Sequence, residues 1–247
     1  MSTARYTPGH SASATNFMAQ RTFDSHGAFF IDFIQPGHEV LDCGCGPGSI
    51  THGVAGKCFP GKVTGIDFGE SQIDFARQAA PDNATFQTAD CTDLPFDDES
   101  SDRVFSHALM EHLNDPQGAL AKFDRVLKPG GAIGVCSPDW SGFLLAPPSD
   151  ELSTAICVYR DLQTKNGGDV EVGCKFGSLL HEAGFTDIQM LARYENYPSL
   201  DFIGEYLALQ LDGSHPREAQ ALRDWAQSQG GMFAQAWVSA TARKPSC

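Results

Sequence analysis

The stretch Asp42-Cys43-Gly44-Cys45-Gly46-Pro47-Gly48 fixes what the flanking sequence can build. It follows a short strand-like run (39–43) and opens a helix-like segment (49–59). Glycines at alternate positions let the backbone turn sharply and approach a ligand that any β-carbon would strike. In a doubly wound α/β sheet this turn lies at the carboxyl end of a central strand, where ligands bind. A dinucleotide fingerprint, Gly-x-Gly-x-x-Gly, would require glycine at position 49, but Ser49 stands there and the third glycine is Gly48. Pro47 also removes an N–H donor where a pyrophosphate would need one. The loop chemistry favours a nucleoside joined to an amino acid over a dinucleotide.

Working outward, strands and helices alternate. Strands are expected at 62–68, 84–90, 102–107 and 132–136, and helices at 70–80 and 116–127. Lys128-Pro129-Gly130-Gly131 reads as a stop between the last helix and strand of that series. Beyond Trp140 the rhythm changes: a loop over 141–148, a helix over 149–165, a turn at Asn166-Gly167-Gly168, then helix (176–183) and strand (187–193). Helices near 200–211 and 217–229 precede a final strand around 232–240. Residues 14–34 read as a helical extension stopped by Gln35-Pro36-Gly37. The expected fold is α/β: a doubly wound, seven-stranded, mostly parallel sheet, Rossmann-like, with a helical N-terminal lid and a helical insertion after strand five. The expected organisation is an extension over 1–36 and a main domain over 37–247, with 139–175 as an insertion on the acceptor side.

Composition narrows the candidates. The chain has 247 residues, 31 acidic against 17 basic, and a formal charge of −14. That excess repels nucleic-acid backbones and acidic membranes, and no Lys/Arg cluster offers a local exception. No nucleic-acid partner and no membrane span are expected. The N-terminus lacks the basic-then-apolar pattern of a secretory signal, and the eight cysteines are scattered, several within strands. Reduced thiols in a cytoplasmic protein fit this better than a disulfide framework. A zinc site from Cys43, Cys45, His52 and Cys58 would need ligands converging on one point, so no metal is expected.

The segment 40–48 resembles the first motif of class I S-adenosylmethionine-dependent methyltransferases. Val63-Thr64-Gly65-Ile66-Asp67, Ala89-Asp90, Leu94-Pro95-Phe96, Ser101-Asp102-Arg103-Val104 and Arg125-Val126-Leu127-Lys128-Pro129-Gly130-Gly131 continue the resemblance in order. The set, spanning 37–137, is similar to the ubiquinone and menaquinone methyltransferases and their small-molecule relatives. Leu179–Phe185 extends it weakly. The resemblance implies S-adenosylmethionine as cofactor and methyl transfer to a small-molecule acceptor, with O, N or C left open.

At the glycine loop, Gly44 and Gly46 would approach the cofactor. Asp42 would act through a water or backbone group, or would stabilise the turn itself. Asp67 can accept hydrogen bonds from vicinal ribose hydroxyls, or cap the helix beginning near Glu70. The family pattern implies that Asp90 takes the adenine amine and Cys91 offers its backbone N–H, against a plain loop carboxylate. Phe68 and Gln72 would flank adenine and ribose, though the relatives often carry an apolar residue where Gln72 stands. His107 would supply a backbone carbonyl. Arg21, with Tyr6 and His10 in the extension, could pair with the methionine carboxylate, or be a solvated arginine. Glu111 and His112 follow on the substrate side, and His112 is the candidate base. Trp140, Phe143 and Tyr159 would line an acceptor pocket or form core. Two alternatives stay open: a nucleotide-dependent oxidoreductase, and a non-catalytic cofactor-binding module.

Overall fold

The computed structural model describes residues 12–246. Its centre is a seven-stranded sheet in the order β3-β2-β1-β4-β5-β7-β6. The strands are β1 (Val40–Cys43), β2 (Val63–Asp67), β3 (Ala84–Thr88), β4 (Ser101–His107), β5 (Leu127–Ala146), β6 (Thr186–Asn196) and β7 (Met232–Arg243). The pairings among β1 to β5 are parallel, whereas β7 runs antiparallel to both β5 and β6. Every residue of β1 is buried, as a central parallel strand covered on both faces should be.

The two faces carry separate cores. On one, α4 (Pro116–Val126) and α6 (Val172–Glu182) bury Leu120, Phe123, Phe176 and Leu180 against Leu41, Val104 and Val135. On the other, α2 (Ser49–Cys58) and α3 (Glu70–Arg77) join the N-terminal segment, burying Val54, Ile73, Phe23 and Phe30 against Val40, Val63 and Phe105. A third cluster forms a cap from α1 (Ala12–Ala19), α5 (Asp150–Lys165), α7 (Leu200–Leu211) and α8 (Pro216–Ala226), with Phe17, Trp140, Leu152, Ile203, Leu207 and Trp225 at its centre. Sheet order reverses between β1 and β4, so the loops leaving their carboxyl ends flank a crevice at the switch point.

The structure corrects the expected elements at two places. The continuous helix expected over 14–34 breaks into α1, a π turn (Phe23–Gly27) and a 3-10 segment (Ala28–Phe33). Thr22 and Ser25 restart the chain by capping each other reciprocally. Phe23 and Phe30 then dock on glycines: a β-carbon at Gly53 would lie 2.4 Å from Phe23, and one at Gly134 2.5 Å from Phe30. The loop expected over 141–148 is instead mostly strand. The Lys128–Gly131 stop does interrupt the pairing: β5 sets Leu127 opposite Ser101, skips to Ala132 opposite Arg103, and continues to Ala146 opposite Met232 of β7 with a further irregularity between Asp139 and Phe143. Past that irregularity, pairing with a distant strand overrode local turn chemistry. Among the described residues no helix is long and apolar enough to cross a membrane.

Candidate active site

The Asp42–Gly48 turn takes the conformation that its glycines permit. Gly44, Gly46 and Gly48 all have positive φ (75°, 51° and 80°). At Gly48 a β-carbon would sit 2.8 Å from that of Ala76, so close helix packing as well as φ demands glycine there. The turn is tied to β2: the Gly44 and Cys45 N–H groups donate to the Ile66 carbonyl (2.8 and 2.9 Å). Gly46 N–H donates to Asp67 Oδ2 (2.9 Å) and Gly69 N–H to Asp67 Oδ1 (2.8 Å). These use two of the about four hydrogen bonds a carboxylate can accept, and they fix its direction. Asp67 is not the cap of α3; that position is Gly69, without a side-chain bond. Asp42 is buried and accepts from Thr51 Oγ1 at 2.6 Å, which ties the end of β1 to α2.

A cavity of about 840 Å³ opens over the switch point, and Arg21, Asp42, Gly44, Gly46, Asp67, Phe68, Gln72, Asp90, Cys91 and His107 all line it. Phe68 projects at its lip, 78% exposed. Gln72 is buried, donates from Nε2 to Thr15 Oγ1 of α1 (2.8 Å), and leaves Oε1 without a partner among the described residues. Asp90 Oδ1 accepts from the backbone and hydroxyl of Thr92 (2.8 and 2.7 Å), which holds the turn after β3. His107 is buried against Trp237 (centroids 4.9 Å apart, nearly parallel), with both ring nitrogens lacking partners among the described residues. Ala108 follows with φ 55°, so the chain kinks sharply as it leaves β4.

A second, smaller cavity of about 40 Å³ shares Met18, Arg21, Ala108 and His112 with the first. Its walls are largely aromatic: Phe17, Trp140, Tyr159, Tyr197, Tyr206 and Trp237, with Glu111, Gln163 and Gln235 as polar members. Trp140 and Tyr159 stand where the sequence suggested an acceptor pocket. Phe143 instead packs behind Trp140 (5.9 Å) and Phe233 (6.4 Å). Tyr6 and His10 lie outside the described residues. Sequence reasoning missed Tyr197, Tyr206, Gln235 and Trp237, which lie beyond the recognised motifs and carry no local signature. Among the described residues, no three His, Cys, Asp or Glu side chains converge as metal ligands.

Residues 41–135 match the family model for a methyltransferase domain, and this span contains the glycine turn, Asp67, Asp90 and His107. This stretch is a methyltransferase domain of the class I S-adenosylmethionine-dependent type. The chain is 36% identical over 187 residues to O-methyltransferase cnsE of Penicillium expansum (72% of this chain, 62% of that protein). It is 28% identical to phosphoethanolamine N-methyltransferase 1 of Arabidopsis thaliana (83% of this chain, 39% of that protein). Phosphoethanolamine N-methyltransferase 2 of Haemonchus contortus, solved with S-adenosyl-L-methionine, shares the fold at TM-score 0.64 and 19% identity (95% of this chain, 57% of that one). The chain spans less than half the length of several curated relatives it matches. These matches reach the methyltransferase class and do not single out the quinone group within it.

Burial sets the protonation states around the two cavities. Desolvation pushes Asp42 up to about 7, with Thr51 opposing it and Asp67 adding to it. Glu111 is likewise pushed by burial to about 7, against the bond it accepts from Ser137 Oγ (2.7 Å). His112 goes the other way: burial, then the Arg21 charge, lowers it to about 3. His107 is held well below its ordinary value by burial, with Arg21, His26 and Arg193 adding to the effect. His112 Nε2 lies 3.5 Å from Glu111 Oε1. The imidazole expected to act as base is therefore neutral but very weakly basic, while the carboxylate beside it has a proton affinity suited to neutral pH.

Proposed function

We propose that the chain transfers a methyl group from S-adenosylmethionine to a small molecule held where the aromatic cavity opens into the larger one. The single observation that carries this reading is the assembly of the glycine turn, Asp67 and Asp90 around one cavity of about 840 Å³. The donor set suits the group: Asp67, aimed by two backbone N–H bonds, for the ribose diol, and Asp90 with the Cys91 N–H for the adenine edge. Gln72 Oε1 is a buried acceptor that a ligand hydroxyl or ammonium would satisfy. When bound, S-adenosylmethionine supplies an electrophilic methyl group on sulfur.

The chain's own part is positioning, water exclusion and proton removal. Phe17, Met18 and Arg21, on and just after α1, line the smaller cavity and join the cap to the cofactor crevice. Holding donor and acceptor near attack distance in a dry site supplies much of the rate in such transfers. Glu111 would take the acceptor's proton, with Ser137 and His112 fixing the carboxylate. A base of this strength suits a hydroxyl acceptor, in line with the O-methyltransferase relative. The oxidoreductase and non-catalytic alternatives find no support in the matched domain or relatives.

Calorimetric titration with S-adenosylhomocysteine tests the cofactor assignment. Asp67→Ala should weaken binding by roughly 10- to 100-fold, the worth of one or two charge-assisted hydrogen bonds. Unchanged affinity in a folded variant would remove Asp67 from the site.

A further inference from the structure

The two cavities meet at Arg21, and its side chain has a side. Its guanidinium carbon lies 5.0 Å from the ring centre of Trp237 and 5.4 Å from that of Phe17. Both rings line the smaller cavity and neither lines the larger one. Arg21 forms no ion pair within 4 Å among the described residues, though its charge acts on the Glu111 and Glu195 carboxylates. Contact with two rings orients the guanidinium, and its N–H groups would pair with an anion entering the smaller cavity.

A second group in the same cavity points to the same chemistry. Gln235 of β7 is 4% exposed and lines the smaller cavity. Its Oε1 accepts from Tyr197 Oη at 3.0 Å, which fixes the amide, and its Nε2 has no acceptor among the described residues. A buried amide donor without a partner costs about 1–3 kcal/mol, so such groups in native proteins usually serve a ligand. The surrounding walls are flat: Phe17 lies 3.8 Å from Tyr206, stacked, and His107 stacks on Trp237.

Resting on the methyl-transfer reading, we infer that the acceptor carries a carboxylate, which the smaller cavity takes between Arg21 and Gln235 Nε2 while the rest of the molecule lies in the larger one. A planar monoanion matches one guanidinium edge and one amide donor. A phosphate dianion would leave charge uncompensated, since among the described residues Arg21 is the one Lys or Arg lining this cavity and Glu111 adds negative charge once ionised. Arg21 then belongs to the acceptor and not to the methionine carboxylate.

Benzoate, benzamide and phenyl phosphate, titrated into the full chain saturated with S-adenosylhomocysteine and followed by protein-observed NMR, test this directly. Benzoate should bind at least about 10-fold more tightly than either competitor, the worth of a charge-assisted contact. Arg21→Gln should lower benzoate affinity by about 10-fold or more while changing S-adenosylhomocysteine affinity less than about 3-fold, and Gln235→Leu should weaken benzoate alone. Benzamide or phenyl phosphate matching benzoate overturns the proposal. So does an Arg21→Gln variant that loses S-adenosylhomocysteine as strongly as benzoate, which would return Arg21 to the cofactor. Failure of S-adenosylhomocysteine to bind the unaltered chain would instead strike the cofactor reading. The ranking of the three probes needs no variant, so a folding defect at position 21 leaves a decisive measurement.

Discussion

Glu111 and His112 are neighbours in sequence, yet burial moves their protonation in opposite directions because it disfavours whichever form is charged. Glu111 reaches about 7 and His112 falls to about 3. The expected kinetic consequence is specific. Glu111→Gln should lower kcat by about 10²- to 10⁴-fold with little change in cofactor affinity, and the unaltered enzyme's acidic limb should fall below an apparent pKa near 7. His112→Asn should cost less, through the looser carboxylate. Single-turnover rates across pH decide between them; a larger loss at His112 would return it to the role of base. That the glycine turn, Asp67 and Asp90 share one cavity was legible because a short motif encodes the local backbone geometry that places them at strand ends. Which of Glu111 and His112 is the useful base was not, because that depends on how much water the cap removes.

At the scale of elements, α1 is the piece that closes the smaller cavity, and it is held by side chains more than by backbone. Phe17 stacks on Tyr206 (3.8 Å) and Phe202 (4.7 Å) of α7, and Thr15 is pinned by Gln72 of α3. Phe17→Ala should remove about 3 kcal/mol of packing. Because α1 lies at the edge of the described fold, the loss should appear as local opening rather than global unfolding. Hydrogen exchange should show amides of residues 12–19 losing protection by roughly 100-fold while β1 and β4 keep theirs. Uniform loss across the sheet would show instead that α1 is integral to the core. The strand β5 teaches the converse lesson. Ser141 and Gly142 have loop character, yet the ladder to β7 carries strand geometry past them to Ala146.

At the scale of the whole molecule, buried ionisable groups tilt stability in opposing directions. Asp42 and Glu111 have folded-state values raised to about 7 by burial. The folded state keeps protons there that the unfolded chain has released, so their contribution to stability falls as pH rises from about 4 to 7. His107 and His112 are depressed, so the unfolded chain binds protons that the folded state refuses, and stability falls as pH drops below about 6.5. Removing one acid should unmask the balance. Glu111→Gln should match the unaltered chain in denaturant unfolding near pH 4 and exceed it by about 2–3 kcal/mol at pH 8. Equal stability at both pH values would mean that water reaches Glu111. The same substitution would then strengthen the fold and weaken the proposed chemistry, as expected when a site holds a carboxylate where burial opposes its charge.

By itself, the sequence determined the order of strands and helices, the parallel half of the sheet, the glycine turn at the switch point and the two strand-end acids beside it. These follow from hydrophobic period, glycine placement and strand endings, all of which act within a few residues. Only the tertiary structure decided the acceptor side. Phe17, Trp140, Tyr197 and the pair Gln235 and Trp237 come from four separate stretches, and none has a meaning until the cap folds over the crevice. Protonation was likewise set there, because the cost of charge depends on the solvent excluded by distant segments and not on the residue's neighbours in the chain.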